Sequence, residues 1–392
     1  MVLARGGLAP IIAVFIPYNL QVHMTRPFVP LYAASFDIGY LGVGIVAAAI
    51  GLLPIFVAMP VGSMTDRLGV RPMVVTGAVI SATGFLALSL WPSLTMVLVA
   101  QVLAGLSNLL IGLGLQTEVG KLGKGREAEK NFSMLTIFAS IGQTGGPLIG
   151  GFIIGVAGFP AAFGTAAALS VLCVIGALVL LPRTGRSTAA VAGDAAPRRA
   201  VDYLRDRDTQ LAIFASCLMT VPEVLRVAFL PIYLGEVVHL DSALIGYVLA
   251  IFAIAGLVAK TALPRLVARF GRQVMLLTFT TCCGLVLLAL PLSASLWMVG
   301  VITACMGLTF GLGRPLSMAM ATNAATPGQE GFVMALRLSG NRLADFGLPI
   351  VFGAAASAVG IGGAFISGGV LLLAGAGVLI APTIAEVRED TG

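Results

Sequence analysis

The sequence predicts an all-α integral membrane protein: 12 transmembrane helices forming two six-helix bundles related by a pseudo-twofold repeat. Three observations predict it. First, 58% of the 392 residues are hydrophobic and 10% are charged, whereas a soluble domain carries roughly 25% charge. Second, apolar runs near or above the ~20 residues that cross a bilayer recur along the whole chain. Third, the basic residues fall on alternate connections. With the N-terminus and every second connection taken as cytoplasmic, that side holds 17 of the 23 Lys and Arg, and the opposite connections hold none. Short connections obey this positive-inside rule, and a wrong helix count would scramble the separation. The net charge of +6 is therefore mostly topology and implies no nucleic-acid partner.

The first span covers 9–33. Arg5 before an apolar run could suggest a secretory leader, but the run continues to Tyr32 and contains His23 and Arg26, which marks a spanning helix. Asn19, His23 and Arg26 share one face of it. The second span, 41–64, leads into GSMTDRLGVRP (62–72), read as a cytoplasmic loop, before the third span, 73–91. The fourth, 94–117, carries Gln101, Asn108 and Gln116 on roughly one face. The fifth, 131–155, contains GQTGGPLIGG (142–151), whose glycine spacing suits close approach of a neighbouring helix and whose proline bends it. The sixth covers 160–181.

A polar segment, RTGRSTAAVAGDAAPRRAVDYLRDRD (183–208), then reads as a cytoplasmic linker between an N-terminal bundle, 1–182, and a C-terminal bundle, 209–392. The seventh span, 209–234, holds Glu223 and Arg226 at i, i+3, a spacing that lets them pair. The eighth, 243–263, ends near Lys260, which snorkels to the interface. The ninth and tenth cover 273–293 and 296–320, with Arg314 in the tenth. The eleventh, 331–355, carries RLSGNRLADFG (337–347): Arg337, Asn341 and Asp345 form an i, i+4, i+8 stripe, and Arg342 can pair with Asp345. Arg337 enters about six residues from the connection, roughly 9 Å at 1.5 Å per residue, so both snorkelling and a functional role fit it. The twelfth covers 362–384. All five cysteines lie inside spans and read as small packing residues; no metal-ligand spacing or disulfide framework occurs, and no metal or cofactor is expected.

The two bundles align internally. RPFVPLY (26–32) matches RVAFLPIY (226–233), Gly44 matches Gly246, Arg67 and Gly69 match Arg269 and Gly271, and Pro147 matches Pro349. A parallel repeat of six-helix halves is a transporter architecture, which predicts a substrate site near mid-membrane between the halves.

The chain resembles the major facilitator superfamily, in its 12-helix drug:proton antiporter-like branch, over its full length. GSMTDRLGVRP is similar to that family's gating motif at Gly62, Asp66, Arg67, Gly69 and Arg71, and departs from it at Met64 and Val70. GQTGGPLIGG is similar to the antiporter motif at Gly142, Gly146, Pro147, Gly150 and Gly151, with Ser133 where the longer form has glycine. The resemblance implies alternating access, and the antiporter motif implies export. One departure matters. The family's fourth helix usually carries an arginine linked to proton coupling four residues before a glycine, and QVLAG places Gln101 there. The coupling ion is therefore left open by the motif.

Charge inside hydrocarbon costs several kcal/mol unless paired or facing water. The interior polar residues Asn19, His23, Arg26, Gln101, Asn108, Glu223, Arg226, Arg314, Asn341, Arg342 and Asp345 are accordingly the candidate substrate-binding set. An ion-pair network fixing helix register is the alternative reading. Five interior arginines against Glu223 and Asp345 favour an anionic or zwitterionic substrate, since the guanidinium suits carboxylate and phosphate. Glu223, then His23, are the candidate proton carriers. The expected function is a proton-coupled exporter of a small organic compound. An organic-anion or siderophore-type uptake permease, or a multidrug efflux pump, is the alternative. A membrane enzyme is disfavoured, because His23 and His239 are the only histidines and no HExxH, GxSxG or phosphate loop occurs. The expected partners are the small-molecule substrate, protons and the lipid bilayer. The expected location is the inner membrane, multi-pass, with both termini cytoplasmic and a monomeric state.

Overall fold

The computed structural model describes residues 7–122, 126–182, 207–293, 295–323 and 330–391, apart from the side chains at 59, 62–63, 66, 126, 128–129, 133, 207–208, 314–315, 317–323, 330–335 and 381–391. Every regular element among them is helical. This follows from the solvent: hydrocarbon offers backbone N–H and C=O groups no partner, and a helix satisfies them within one segment.

We number the spans α1 to α12. In the first half they are α1 (Leu8–Ala34), α2 (Gly39–Leu68), α3 (Val70–Leu90), α4 (Leu94–Lys121), α5 (126–157) and α6 (159–180). In the second half they are α7 (207–236), α8 (Ser242–Phe270), α9 (Arg272–Ala289), α10 (Leu296–Asn323), α11 (Glu330–Val359) and α12 (Gly362–Thr391). Eleven helical stretches among the described residues are long and apolar enough to cross a bilayer, and one of these, Lys130–Leu180, runs for 51 residues. At 1.5 Å per residue that stretch is far longer than a ~30 Å hydrocarbon core. Gly158 breaks it with φ 78° and ψ 173°, giving α5 and α6.

The repeat is written in the backbone as well as the sequence. Left-handed joints recur 202 residues apart: Asp37 (φ 54°) with His239 (φ 58°), Gly69 (φ 83°) with Gly271 (φ 79°), and Gly158 with Gly360 (φ 82°). Asp and His tolerate that region better than most residues with a side chain, and glycine enters it freely. One expectation is corrected here. GSMTDRLGVRP is no loop: α2 runs through Leu68 and α3 begins at Val70. Gly69 alone, at φ 83° and ψ 171°, reverses the chain.

The chain divides into two compact units. The first comprises Met1–Ile38, Val46–Ala190 and Leu240–Ala250; the second comprises Gly39–Ile45, Val191–His239 and Ile251–Gly392. The linker expected at 183–208 lies outside the described residues as far as 206. In the first unit, one apolar cluster joins Val14, Val74, Ile111, Leu115 and Ala177. A second gathers Met24, Phe85, Leu88, Val97 and Phe163, with Tyr32 packed against it and 4.8 Å from the Phe159 ring. In the second unit the repeat partner of Tyr32, Tyr233, is 2% exposed. Its hydroxyl donates to the carbonyls of Leu290 (3.0 Å) and Ser293 (2.8 Å).

Candidate functional site

The second unit's polar interior is built on α7, and that helix is not uniform. It runs as Arg207–Leu218 and Thr220–Val224, widens to a π-turn at Leu225–Phe229, and resumes at Leu230–Glu236. The Leu230 N–H donates to the Leu225 carbonyl, five residues back. Pro231 cannot donate to the Val227 carbonyl, and its ring crowds it; the wider turn takes up that conflict. Single π-turns of this kind concentrate at functional sites.

Arg226 stands on the π-turn. Its Nη2 donates to Glu223 Oε1 at 2.8 Å, and both residues are buried. The guanidinium lies over the Phe252 ring of α8, 4.7 Å from the centroid. Its Nε is buried without a hydrogen bond among the described residues.

A second polar node joins α7 to α11. Arg337 Nη1 donates to Ser216 Oγ at 2.8 Å, and the Ser216 hydroxyl donates to Asn341 Oδ1 at 2.8 Å. Arg337 is 4% exposed, so of the two roles open to it, snorkelling is set aside: Ser216 holds it inside. Two turns of helix separate Ser216 from Glu223, so both nodes lie on one face of α7. Further along α11, Arg342 Nη1 reaches Asp345 Oδ2 at 3.6 Å, with the arginine exposed and the carboxylate half-buried. Lys260 is half-buried. Arg314 lies outside the described side chains.

The first unit is arranged differently. Asn19, 7% exposed, turns its amide back onto the Phe15 carbonyl (3.1 Å). His23 and Arg26 are half-buried, and the α-helix stops at Thr25, one residue before Arg26 and two before Pro27. Gln101 donates to the Val46 carbonyl at 3.3 Å, fastening α4 to α2. Asn108 offers its backbone carbonyl to the Tyr18 hydroxyl at 3.3 Å. A neutral chain runs from Ser170 to Ser81 (3.0 Å) and from Ser81 to Gln21 (3.4 Å). Among the described residues, every fully buried polar side chain of this unit is uncharged, whereas the second unit buries Glu223, Arg226 and Arg337.

The two motifs make contacts between helices. Gly142, Gly146 and Gly150 recur every fourth residue and face α1. A methyl group at Gly146 would stand 2.7 Å from the His23 carbonyl carbon, and one at Gly150 would stand 2.7 Å from the Met24 carbonyl oxygen. Gly142 meets Asn19 in the same way. Pro147 and Gly151, one residue out of that register, face α8 instead: the Pro147 carbonyl lies against Gly246, and Gly151 against the Ser242 carbonyl. In the second unit Gly44 lies against the Pro349 carbonyl, the repeat of the Gly246 contact. At the gating motif Arg71 donates to the Leu178 carbonyl and Arg67 is exposed. The Asp66 side chain lies outside the described residues.

Sequence reasoning missed Ser216, Phe252 and the Gln21–Ser81–Ser170 chain. A serine or phenylalanine in an apolar span carries no signal of its own; the partner across the helix interface supplies it. For Arg337 the i, i+4 spacing to Asn341 was the available sign.

A family model described as Major Facilitator Superfamily matches residues 11–241 and 211–391. The multidrug resistance protein MdtH of Cronobacter sakazakii is 35% identical over 127 residues, 32% of this chain and 31% of that protein. The multidrug resistance protein MdtM of Salmonella typhimurium is 31% identical over 146 residues, 37% of this chain and 34% of that protein. The match thus spans about a third of each relative's length. Among solved structures, a POT family transporter in complex with 5-aminolevulinic acid superposes with TM-score 0.78 at 15% identity, covering 97% of this chain and 96% of that one. The nucleoside transporter NupG superposes with TM-score 0.75 at 14% identity, covering 95% and 99%. These structural likenesses concern the fold.

Proposed function

Because the chain belongs to the major facilitator superfamily, we propose that it is a proton-coupled secondary transporter exporting a small organic anion or zwitterion by alternating access. Membership makes it a multi-pass membrane transporter, not an enzyme; the substrate, the coupling ion and the direction are our reading. The observation that carries it is the buried Glu223–Arg226 pair at 2.8 Å on the α7 π-turn. An acidic substrate competes with Glu223 for the guanidinium, and a buried carboxylate deprived of its cation takes up a proton. A bare anion would thus bind together with a proton, whereas a zwitterion that also sets its ammonium on Glu223 displaces the proton there, the mutual exclusion that export in exchange for protons requires. The Arg226 Nε, with no hydrogen bond among the described residues, is a donor ready for a carboxylate or phosphate oxygen. A zwitterion would also present an ammonium group to Glu223.

Export is supported by the antiporter-type glycines of α5, whose contacts require the absence of side chains. It is also supported by two relatives that carry multidrug resistance names. Those names favour a second reading, a multidrug efflux pump. In either case the protein acts as a monomer in a bacterial inner membrane, with both termini cytoplasmic.

The test uses purified protein in liposomes and a panel of organic anions, zwitterions and cationic dyes. Glu223→Gln is expected to lose accumulation driven by a pH gradient while retaining substrate-for-substrate exchange. His23→Gln is expected to retain both. Proton-driven accumulation by Glu223→Gln removes the assignment, and saturable transport of dyes alone selects the second reading.

A further inference from the structure

Phe252 of α8 touches the charged pair with one end and a helix crossing with the other. Its ring carries the Arg226 guanidinium at 4.7 Å and meets the Phe310 ring of α10 at 5.5 Å with a 39° tilt. Its backbone lies where α8 and α10 cross. A methyl group at Gly307 would overlap the Phe252 carbonyl oxygen and stand 3.0 Å from its Cα; one turn on, a methyl at Gly311 would stand 2.8 Å from the Gly256 Cα. Phe252 is 4% exposed, so its ring cannot turn without displacing what it touches.

We propose that Phe252 is a positioning residue that ties the charge state of the Glu223–Arg226 pair to the α8–α10 crossing. The inference rests on the reading of that pair as the coupling site. Arg226 is held from two sides: an ion pair at Nη2 and a π face beneath the guanidinium plane. Attraction between a cation and a ring quadrupole strengthens when both are out of water. Neutralising Glu223 releases one side, and the guanidinium shifts against the ring. The ring then moves the strand of backbone it belongs to, which has no side-chain cushion at Gly307 or Gly311. The matching crossing of the first half is built otherwise: Gly105 faces the Ile50 carbonyl, and isoleucine offers a cation no π face.

Hydrogen–deuterium exchange of the full-length protein in nanodiscs tests this without a substrate. Peptides covering 248–260 and 303–313 report on the crossing. Glu223→Gln is expected to speed their exchange about fivefold with the native ring and with Phe252→Tyr. In a Phe252→Leu background the same change is expected to have less than a twofold effect; Phe252→Met serves if the leucine variant does not fold. An equal response with and without the ring overturns the proposal, as does no response with the native ring. Failure of the coupling reading is separate: it shows as proton-driven transport surviving in Glu223→Gln, whatever the exchange rates.

Discussion

Arg26 and Arg226 stand at nearly matching places in the two halves, 200 residues apart where Tyr32 and Tyr233 are 201 apart, and the α-helix is interrupted beside them by different means. In α1 the helix ends at Thr25 and restarts at Phe28, with Pro27 in the gap. In α7 the chain stays hydrogen-bonded and widens into a π-turn. The first solution gives up helical bonds; the second keeps them and places a buried arginine against a buried glutamate. The same contrast holds across the interiors. The neutral Gln101 bolts α4 to α2 through the Val46 carbonyl. Its repeat partner Thr303 is fully buried with a hydroxyl that makes no hydrogen bond among the described residues. The lesson is a division of labour: among the described residues the first half is fastened by neutral bonds and backbone contacts, and the second half holds the buried charges, which on our proposal respond to ligand and proton.

Four tests break or sharpen that comparison. The largest effect is expected from Gly146→Leu. Overpacking usually costs about 1–3 kcal/mol, but here the obstruction is the His23 and Met24 backbone, so the loss should exceed that range and transport should vanish. Leu348, at the matching position in α11, is half-buried, and Leu348→Ala should remain folded and active. Thermal unfolding and vesicle transport decide it; an active Gly146→Leu would mean that the first half is not fastened at this crossing. Next, Ser216→Ala takes a hydrogen bond from both Arg337 and Asn341 and should cost about 2 kcal/mol, as bonds to charged groups do. Ser81→Ala in the neutral chain should cost about 1 kcal/mol. Equal losses would erase the distinction between charged and neutral interiors. Third, Gln101→Leu should cost about 1 kcal/mol or less and leave the pH profile of transport in place; a shifted profile would move coupling into the first half. The smallest effect is expected at Tyr40, whose hydroxyl donates to Glu236 at 2.7 Å on an exposed surface. Tyr40→Phe should lower stability by about 0.5 kcal/mol, measured by denaturant titration.

The spans were legible because hydrocarbon imposes a length and an apolar composition, and the alternation of basic connections fixed their number. Pairings within a single helix were legible too: Glu223–Arg226 and Arg342–Asp345 follow from i, i+3 spacing, and the α5 glycines from i, i+4. Contacts across helices were not. Nothing in LRVAF announces a π-turn, which depends on how Pro231 meets the turn before it. Nothing around Ser216 announces an arginine from α11. Arg337 could be read two ways because depth along its own helix says nothing of what stands opposite. The gating stretch misled for a related reason: its polar residues suggest a loop, yet one glycine in a left-handed conformation lets both helices run to the joint.

Those one-residue joints also govern how the protein can be cut. A protease needs several residues of extended, accessible chain, and cleavage therefore concentrates at exposed loop tips. Gly69 and Gly271 leave only themselves between neighbouring helices, and Gly158 interrupts a run that is otherwise helical on both sides. Digestion of the folded protein should therefore release α2 with α3, α5 with α6, and α8 with α9 as uncut pairs. The fragments that survive would carry the repeat's own punctuation.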